Sequence, residues 1–430
     1  MVAERLIPSP DLSVGERRLD LSLFIRVHQC SSVVSNFRFV LGFSTVDSRI
    51  DTRSRMLRVG SQVLAELPEI TAADLPSAGW SDWLLTQVGG AVDDVMLRAM
   101  SMVVDAFVMP KPSEVNALRA SAQEFVRGHL WRNPHDFFAF VRATVVPHAV
   151  DRKPLRRLQR GTATALRLIT DYRPYASNDP PVSDGDALLV EHWRHEPQKP
   201  RATVVSLHGF SMGYPRFDAF AMFAAPIFHA GYDVALVTLP FHGARTPPSS
   251  RFSGERFAVP HVARLNEAVR QAIYEIHVLV DWLRQQSAAP VGLLGLSLGG
   301  YLTALMAGLR SDLAFAIPIV PPVCMGDLGW RFFSRSRLHR DASTPAFARD
   351  ELRAAFRVHS PLTYDCQIDK RRLLILAGRG DRIVPPDHPH RLWRHWDEPQ
   401  IRWFGGSHLA PFGRSTLQTA IIEHLNGCTE

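Results

Sequence analysis

The chain has 430 residues, 46% of them hydrophobic and 21% charged, with a formal charge of +7. These are globular values that exclude global disorder, and the length admits two domains or one large domain with an extension. Of 49 basic residues only Lys111, Lys153, Lys199 and Lys370 are lysines, and the arginines are scattered without an aromatic-interleaved stripe, which argues against a nucleic-acid partner.

Residues 1 to about 60 are rich in Ser and Arg and poorly periodic, and read equally as a disordered arm, a strand or two, or sequence upstream of the true start. No signal-peptide order of charge, apolar run and cleavage site is present. The most apolar stretch, Ala91 to Met109, carries Asp93, Asp94, Arg98 and Asp105, so no transmembrane segment is expected. Cys30, Cys324, Cys366 and Cys428 lie far apart with no C-x-x-C spacing, as in a reducing compartment. A soluble, cytoplasmic protein is the expectation.

From Trp80 to about Leu168 the pattern is helical. Ser113 suits an N-cap for a helix running to Leu130, and Asn133-Pro134 opens another with Pro134 at its first position. The Pro- and Asp-rich stretch from Tyr175 to Gly185 reads as a linker. Residues 1–175 are thus expected to form an N-terminal region that is mainly helical from about 80. After the linker, runs at Ala187–Trp193, Ala202–Leu207, Tyr232–Thr238, Val291–Leu296, Phe315–Val320, Leu373–Ala377 and Gln400–Phe404 read as strands. They alternate with helices at Val262–Gln285, Gly300–Leu309 and Thr416–Asn426. The expected class is α/β, a mostly parallel sheet with helices on both faces, over residues 181–430.

In such a sheet, functional groups collect on loops at the carboxyl ends of strands. A serine nucleophile needs a base in hydrogen-bond reach, an acid to orient that base, and donors for the developing oxyanion. Ser297 lies in the G-x-S-x-G pentapeptide Gly295-Leu296-Ser297-Leu298-Gly299, directly after one strand and before a helix. Asp381 follows the strand ending at Ala377, and His408 follows the last strand. A second pentapeptide, Gly209-Phe210-Ser211-Met212-Gly213, competes for the nucleophile, and Asp327 for the acid. His388, His390 and His395 form a dense stretch without H-E-x-x-H spacing, and read as a polar helix face rather than a metal site. No metal or organic cofactor is expected.

The order Ser297, Asp381, His408, with the elbow glycines and the His208-Gly209 pair after an early strand, resembles the α/β-hydrolase fold superfamily over residues 181–430. The resemblance implies a serine hydrolase with Ser297 as nucleophile, His408 as base and Asp381 as acid. It implies oxyanion-hole amides at Leu298 and Phe210, and it places Ser211 in the oxyanion loop. A cap is expected over about 324–365, or else from the N-terminal region. Leu239-Pro240-Phe241-His242-Gly243 resembles the family's G-H-G loop, with Phe241 in place of the first glycine. His242, Met212 and Trp330 are candidate substrate contacts, although local pinning suits His242 better. The expected reaction is cleavage of a small-molecule ester or thioester through an acyl-enzyme. An acyltransferase and a non-catalytic binding module are the alternatives.

Overall fold

The apolar runs become strands because each can bury both faces. In the computed structural model, Thr203–Leu207 (β6), Asp233–Thr238 (β7), Ala316–Ile319 (β9) and Leu374–Gly378 (β10) are buried throughout. Val291–Leu296 (β8) is buried except at its last residue. Successive side chains point to opposite faces. Val205, Val237 and Leu293 enter one apolar cluster, while their neighbours Val204, Leu236 and Leu294 enter another. The first cluster is closed by Val262–Gln286 (α2) and Leu298–Leu309 (α3). The second is closed by Ile227 and Phe228 and by Leu417, Ile421 and Leu425 of the last helix.

The structure describes residues 57–59, 62–64, 75, 79–107, 120, 122–123, 125–175, 187–257, 261–333 and 349–430. The chain forms two units, Met1–Glu66 and Leu67–Glu430. In the first unit, Leu57–Val59 (β1) and Gln62–Leu64 (β2) pair antiparallel. The arm before residue 57, the helix start at Ser113, the linker from 176 onward and residues 334–348 of the expected cap lie outside the described residues.

In the second unit, Ala149–Leu158 (β3), Gly161–Ile169 (β4), Ala187–His195 (β5) and Gln400–Phe404 (β11) complete the sheet. Its nine strands run in the order β11-β10-β9-β8-β6-β7-β5-β4-β3. From β11 to β7 every pair is parallel. From β7 to β3 every pair is antiparallel. Chain direction across the sheet reverses at β6, where β7 departs to one side and β8 to the other. Ligand crevices open outside the carboxyl ends of strands at such switch points.

The helical pattern expected to continue to Leu168 stops by Arg142, and β3 and β4 form a hairpin instead. Pro147 and Pro154 oppose a helix there. Pro154 is tolerated because β3 is an edge strand with a register shift at that point. Charged residues along β3 blunt that edge. A β-carbon on Gly161 would stand 1.9 Å from the Arg194 carbonyl oxygen, so the hairpin can press against β5 only with glycine there. The expected boundary between 175 and 181 separates no cores: Leu130, Phe137, Phe138, Leu166 and Leu168 share the first cluster with Val205 and Ile276. Helix α1, Trp80–Phe107, is the long helical element of the N-terminal region. Among the described residues no helix is long and apolar enough to cross a membrane.

Candidate active site

Ser297 sits between β8 and α3 with φ 53° and ψ −109°, a conformation that costs a non-glycine residue on the order of 1–3 kcal/mol. The turn is held by the Ser297 amide donating to the Ile319 carbonyl at 2.8 Å, and by the Tyr301 amide donating to the Ser297 carbonyl at 2.8 Å. The elbow glycines are steric requirements. A β-carbon on Gly295 would lie 2.1 Å from the Gly299 carbonyl oxygen, and one on Gly299 would lie 1.9 Å from that of Leu207. Ser297 remains half-buried, so its hydroxyl is presented rather than packed away.

The carboxyl ends of β10 and β11 bring in the other two groups. His408 Nε2 lies 2.9 Å from Ser297 Oγ, and His408 Nδ1 lies 2.6 Å from Asp381 Oδ2. The other oxygen of Asp381 accepts from the amides of Ile383 at 3.0 Å and Val384 at 2.7 Å. These bonds set the tautomer: Nδ1–H donates to the carboxylate, and Nε2 accepts from the serine hydroxyl. Burial raises the Asp381 carboxyl, opposed by His408 and helped by the charge of Asp93. Burial pulls His408 down, but the Asp381 charge and hydrogen bond, with Asp93 behind them, hold the imidazole above its ordinary value.

The loop after β6 lies against the elbow. A β-carbon on Gly209 would stand 3.6 Å from Ser297 Cβ and 3.1 Å from the Met212 sulfur. Met212 is thus folded onto its own loop, where its sulfur accepts the Gly209 amide at 3.3 Å. Among the described residues the amides of Phe210 and Leu298 donate to no protein acceptor. Ser211 is exposed at φ 63°, and His408 is bonded to Ser297 instead.

The remaining candidates are engaged elsewhere. His242 is fully buried, with Nδ1 at 2.8 Å from the Pro240 carbonyl. Its ring meets those of His208, Phe210 and Phe257, so it pins the loop and is closed to substrate. Asp327 accepts from Arg349 and Arg353 at 2.7 Å and from Arg391 at 2.8 Å. Burial opposes its ionisation, but these guanidiniums win and hold it well below the carboxylate range. That cluster ties the helix Met325–Phe333 to Arg349–Phe356 and occupies the competing acid. Trp330 is half-buried against the first apolar cluster. His388 accepts the Val323 amide at 3.1 Å and His395 bonds the Tyr364 carbonyl at 2.9 Å. No group of three metal-binding side chains occurs among the described residues.

Two groups around the site carry no motif. Asp218, only 2% exposed, accepts the Gly213 amide of the loop after β6 at 3.3 Å, and burial pushes its carboxyl up to about 7. An unfolded Asp ionises near pH ~3.9, so folding opposes ionisation and stability falls as pH climbs between those two values. Asp218→Asn is therefore expected to raise Tm more at pH 8 than at pH 5. Equal gains at both would show that the carboxylate carries no such penalty. The second is Asp93 of α1, whose contacts with the loops of Asp381 and His408 are described below. Its only signal in the sequence is an acid placed inside an apolar helix two residues past Gly89-Gly90-Ala91.

Residues 186–325 match a family model described as Alpha/beta hydrolase domain containing 18. That stretch includes Ser297 and the loop after β6, and ends before Asp381 and His408. Two curated proteins of Mycobacterium tuberculosis, both named only as uncharacterized, are 34% identical over 233 residues, 53% of this chain and 53% of theirs. The chain thus spans about half the length of these relatives. Among solved structures, acetyl xylan esterase 1 from Thermoanaerobacterium sp. is similar at TM-score 0.50 and 14% identity, covering 74% of this chain and 99% of its own. An acetyl xylan esterase from Paenibacillus sp. is similar at 0.50 and 15%, covering 73% and 99%. The matched segment, the sheet order and these likenesses agree that the chain has the α/β-hydrolase fold.

Proposed function

We propose that the chain is a serine hydrolase acting on a carboxylic ester or thioester. The observation that carries this is the continuous relay from Ser297 Oγ through His408 to Asp381, at 2.9 and 2.6 Å. His408 takes the serine proton as Oγ attacks the carbonyl carbon, and Asp381 holds the resulting imidazolium. The amides of Leu298 and Phe210 donate to the developing oxyanion. When the tetrahedral intermediate collapses, the alcohol or thiol departs with the proton returned by His408, leaving an acyl-Ser297. Water, deprotonated by the same imidazole, then releases the acid. The two similar esterases are named for acetyl xylan, and for this chain a small acyl group is the corresponding first substrate to assay.

A fluorophosphonate probe tests the reading. Labelling is expected at Ser297, located by peptide mass spectrometry, and is expected to vanish in Ser297→Ala. The pH dependence adds a second check. The reaction needs a neutral imidazole, and His408 is held above its ordinary value. The rate is therefore expected to rise with pH along an acid limb whose midpoint lies above the free-histidine value near ~6.5. A labelled serine other than Ser297, or no labelling of folded protein, would refute the proposal.

A further inference from the structure

We propose that Asp93, on helix α1, is a positioning residue for the acid and base loops. This rests on the hydrolase reading above. Asp93 is fully buried and accepts four hydrogen bonds. Its Oδ1 takes the Ser407 hydroxyl at 2.8 Å and the Leu409 amide at 3.1 Å. Its Oδ2 takes the His408 amide at 3.0 Å and the Arg382 amide at 3.0 Å. One carboxylate thus bonds the residue on each side of the base, the base's own backbone, and the residue after the acid.

The helix is shaped for this approach. A β-carbon on Gly89 would lie 2.8 Å from the Ser407 nitrogen, one on Gly90 would lie 2.7 Å from Arg382 Nε, and one on Gly380 would lie 2.4 Å from the Thr86 carbonyl oxygen. Leu97 closes the contact in a cluster with Ile383 and Val384, flanked by Leu328 and Leu409. Loops that carry catalytic groups are otherwise among the less constrained parts of a fold. Here they are fastened to a helix that precedes the segment matched to the family.

The charge adds a second effect. Among the described residues no cation bonds Asp93; the guanidinium of its neighbour Arg382 turns to Asp94 at 2.7 Å. Among the described residues, charged groups around the base loop include Arg379, Asp381 and Arg382 from the acid loop and Asp82, Asp93 and Asp94 from α1. Of these, Asp381 and Asp93 act on the imidazole, both favouring its charged form. His408 becomes that cation as Ser297 attacks, so Asp93 supports the transition state without touching substrate.

The test is the rate of fluorophosphonate labelling against pH in the full chain. Asp93→Asn keeps the shape but sets an NH2 against two of the four donors. It is expected to slow labelling by roughly tenfold to a hundredfold, in line with small misplacements of catalytic groups, and to move the acid limb to lower pH. A rate within twofold of wild type would overturn the proposal. So would a slower rate with an unmoved limb, which would leave Asp93 a support of the fold alone. Should Asp93→Asn fail to fold, Ser407→Ala decides: it removes one of the four bonds to Asp93, together with the bond the same hydroxyl accepts from the Ala410 amide at 3.3 Å, and keeps the charge; it is expected to slow labelling about threefold or more at a similar Tm, whereas a wild-type rate would overturn the proposal. Asp94→Asn, on the same helix but half-buried and turned to the Arg382 guanidinium, is the matched control. Absence of labelling in the wild type would instead refute the hydrolase reading on which the proposal rests.

Discussion

Ser297→Ala is expected to lower kcat on an acyl ester at least ~10³-fold, in line with the loss of a triad nucleophile in serine hydrolases generally. The substitution removes only Oγ and leaves the strained elbow, its backbone bonds and the amides of Leu298 and Phe210 in place. Stability should change little, and residual turnover should come from water attacking substrate held at those amides. His408 loses its 2.9 Å partner, so double variants with Asp381→Asn should lose little more than Ser297→Ala alone, because the three groups act as a unit. Initial rates over a panel of esters of increasing acyl length would measure this. Turnover surviving in Ser297→Ala but lost in Ser211→Ala would move the nucleophile to the other pentapeptide. Product analysis with competing alcohols or amines, run on the wild type, separates hydrolysis from acyl transfer.

Gly299→Ala, in the first turn of α3 against the end of β6, is expected to be among the most damaging small substitutions, costing about 3 kcal/mol or more, the upper range for overpacked sites. The new β-carbon would meet the Leu207 carbonyl oxygen at 1.9 Å and its carbon at 2.4 Å, both backbone atoms of β6. Neither can swing aside as a side chain would. Relief requires moving either α3 away from the sheet, which carries the Leu298 amide, or the end of β6, which leads into His208, Gly209 and Phe210. Both amides assigned to the oxyanion would shift, so activity should fall with stability. Gly329→Ala is the contrast: nothing lies within 4 Å of its β-carbon position, and it sits in the helix Met325–Phe333. There the gain in helix propensity should leave Tm unchanged or slightly raised. Thermal unfolding of the two variants side by side would check the claim. A Gly299→Ala protein as stable as wild type would mean that the elbow is looser than its geometry.

Much of the α/β unit was readable before any coordinates. Val291–Leu296 and Gln400–Phe404 are strands within the expected limits, and the helix expected at Val262–Gln285 runs one residue further. These segments declare themselves because a strand buried on both faces is a short apolar run bounded by turn residues, whatever its neighbours. The hairpin of β3 and β4 was not readable. Half the residues of its exposed outer strand are charged, and its inner strand buries Ala163, Leu166 and Leu168, a spacing with no clean twofold rhythm. Pairing with β5 makes these residues strands, and that partner lies across the linker.

The site divides in the same way. The residue types and chain order of Ser297, Asp381 and His408 were legible because the chemistry demands particular side chains after particular strands. Their approach to 2.9 and 2.6 Å is a property of the sheet, which aligns the ends of β8, β10 and β11 on one edge. Asp93 could not be found from the sequence, since an acid in an apolar helix declares no partner. Its four donors lie about 290 to 316 positions away along the chain. Local pattern, set by burial and backbone chemistry over a few residues, determined the elements and which polar side chains follow which strands. Which distant backbone amides a buried carboxylate would satisfy, and which of two acids would face the histidine, depended on packing between elements that no local rule encodes.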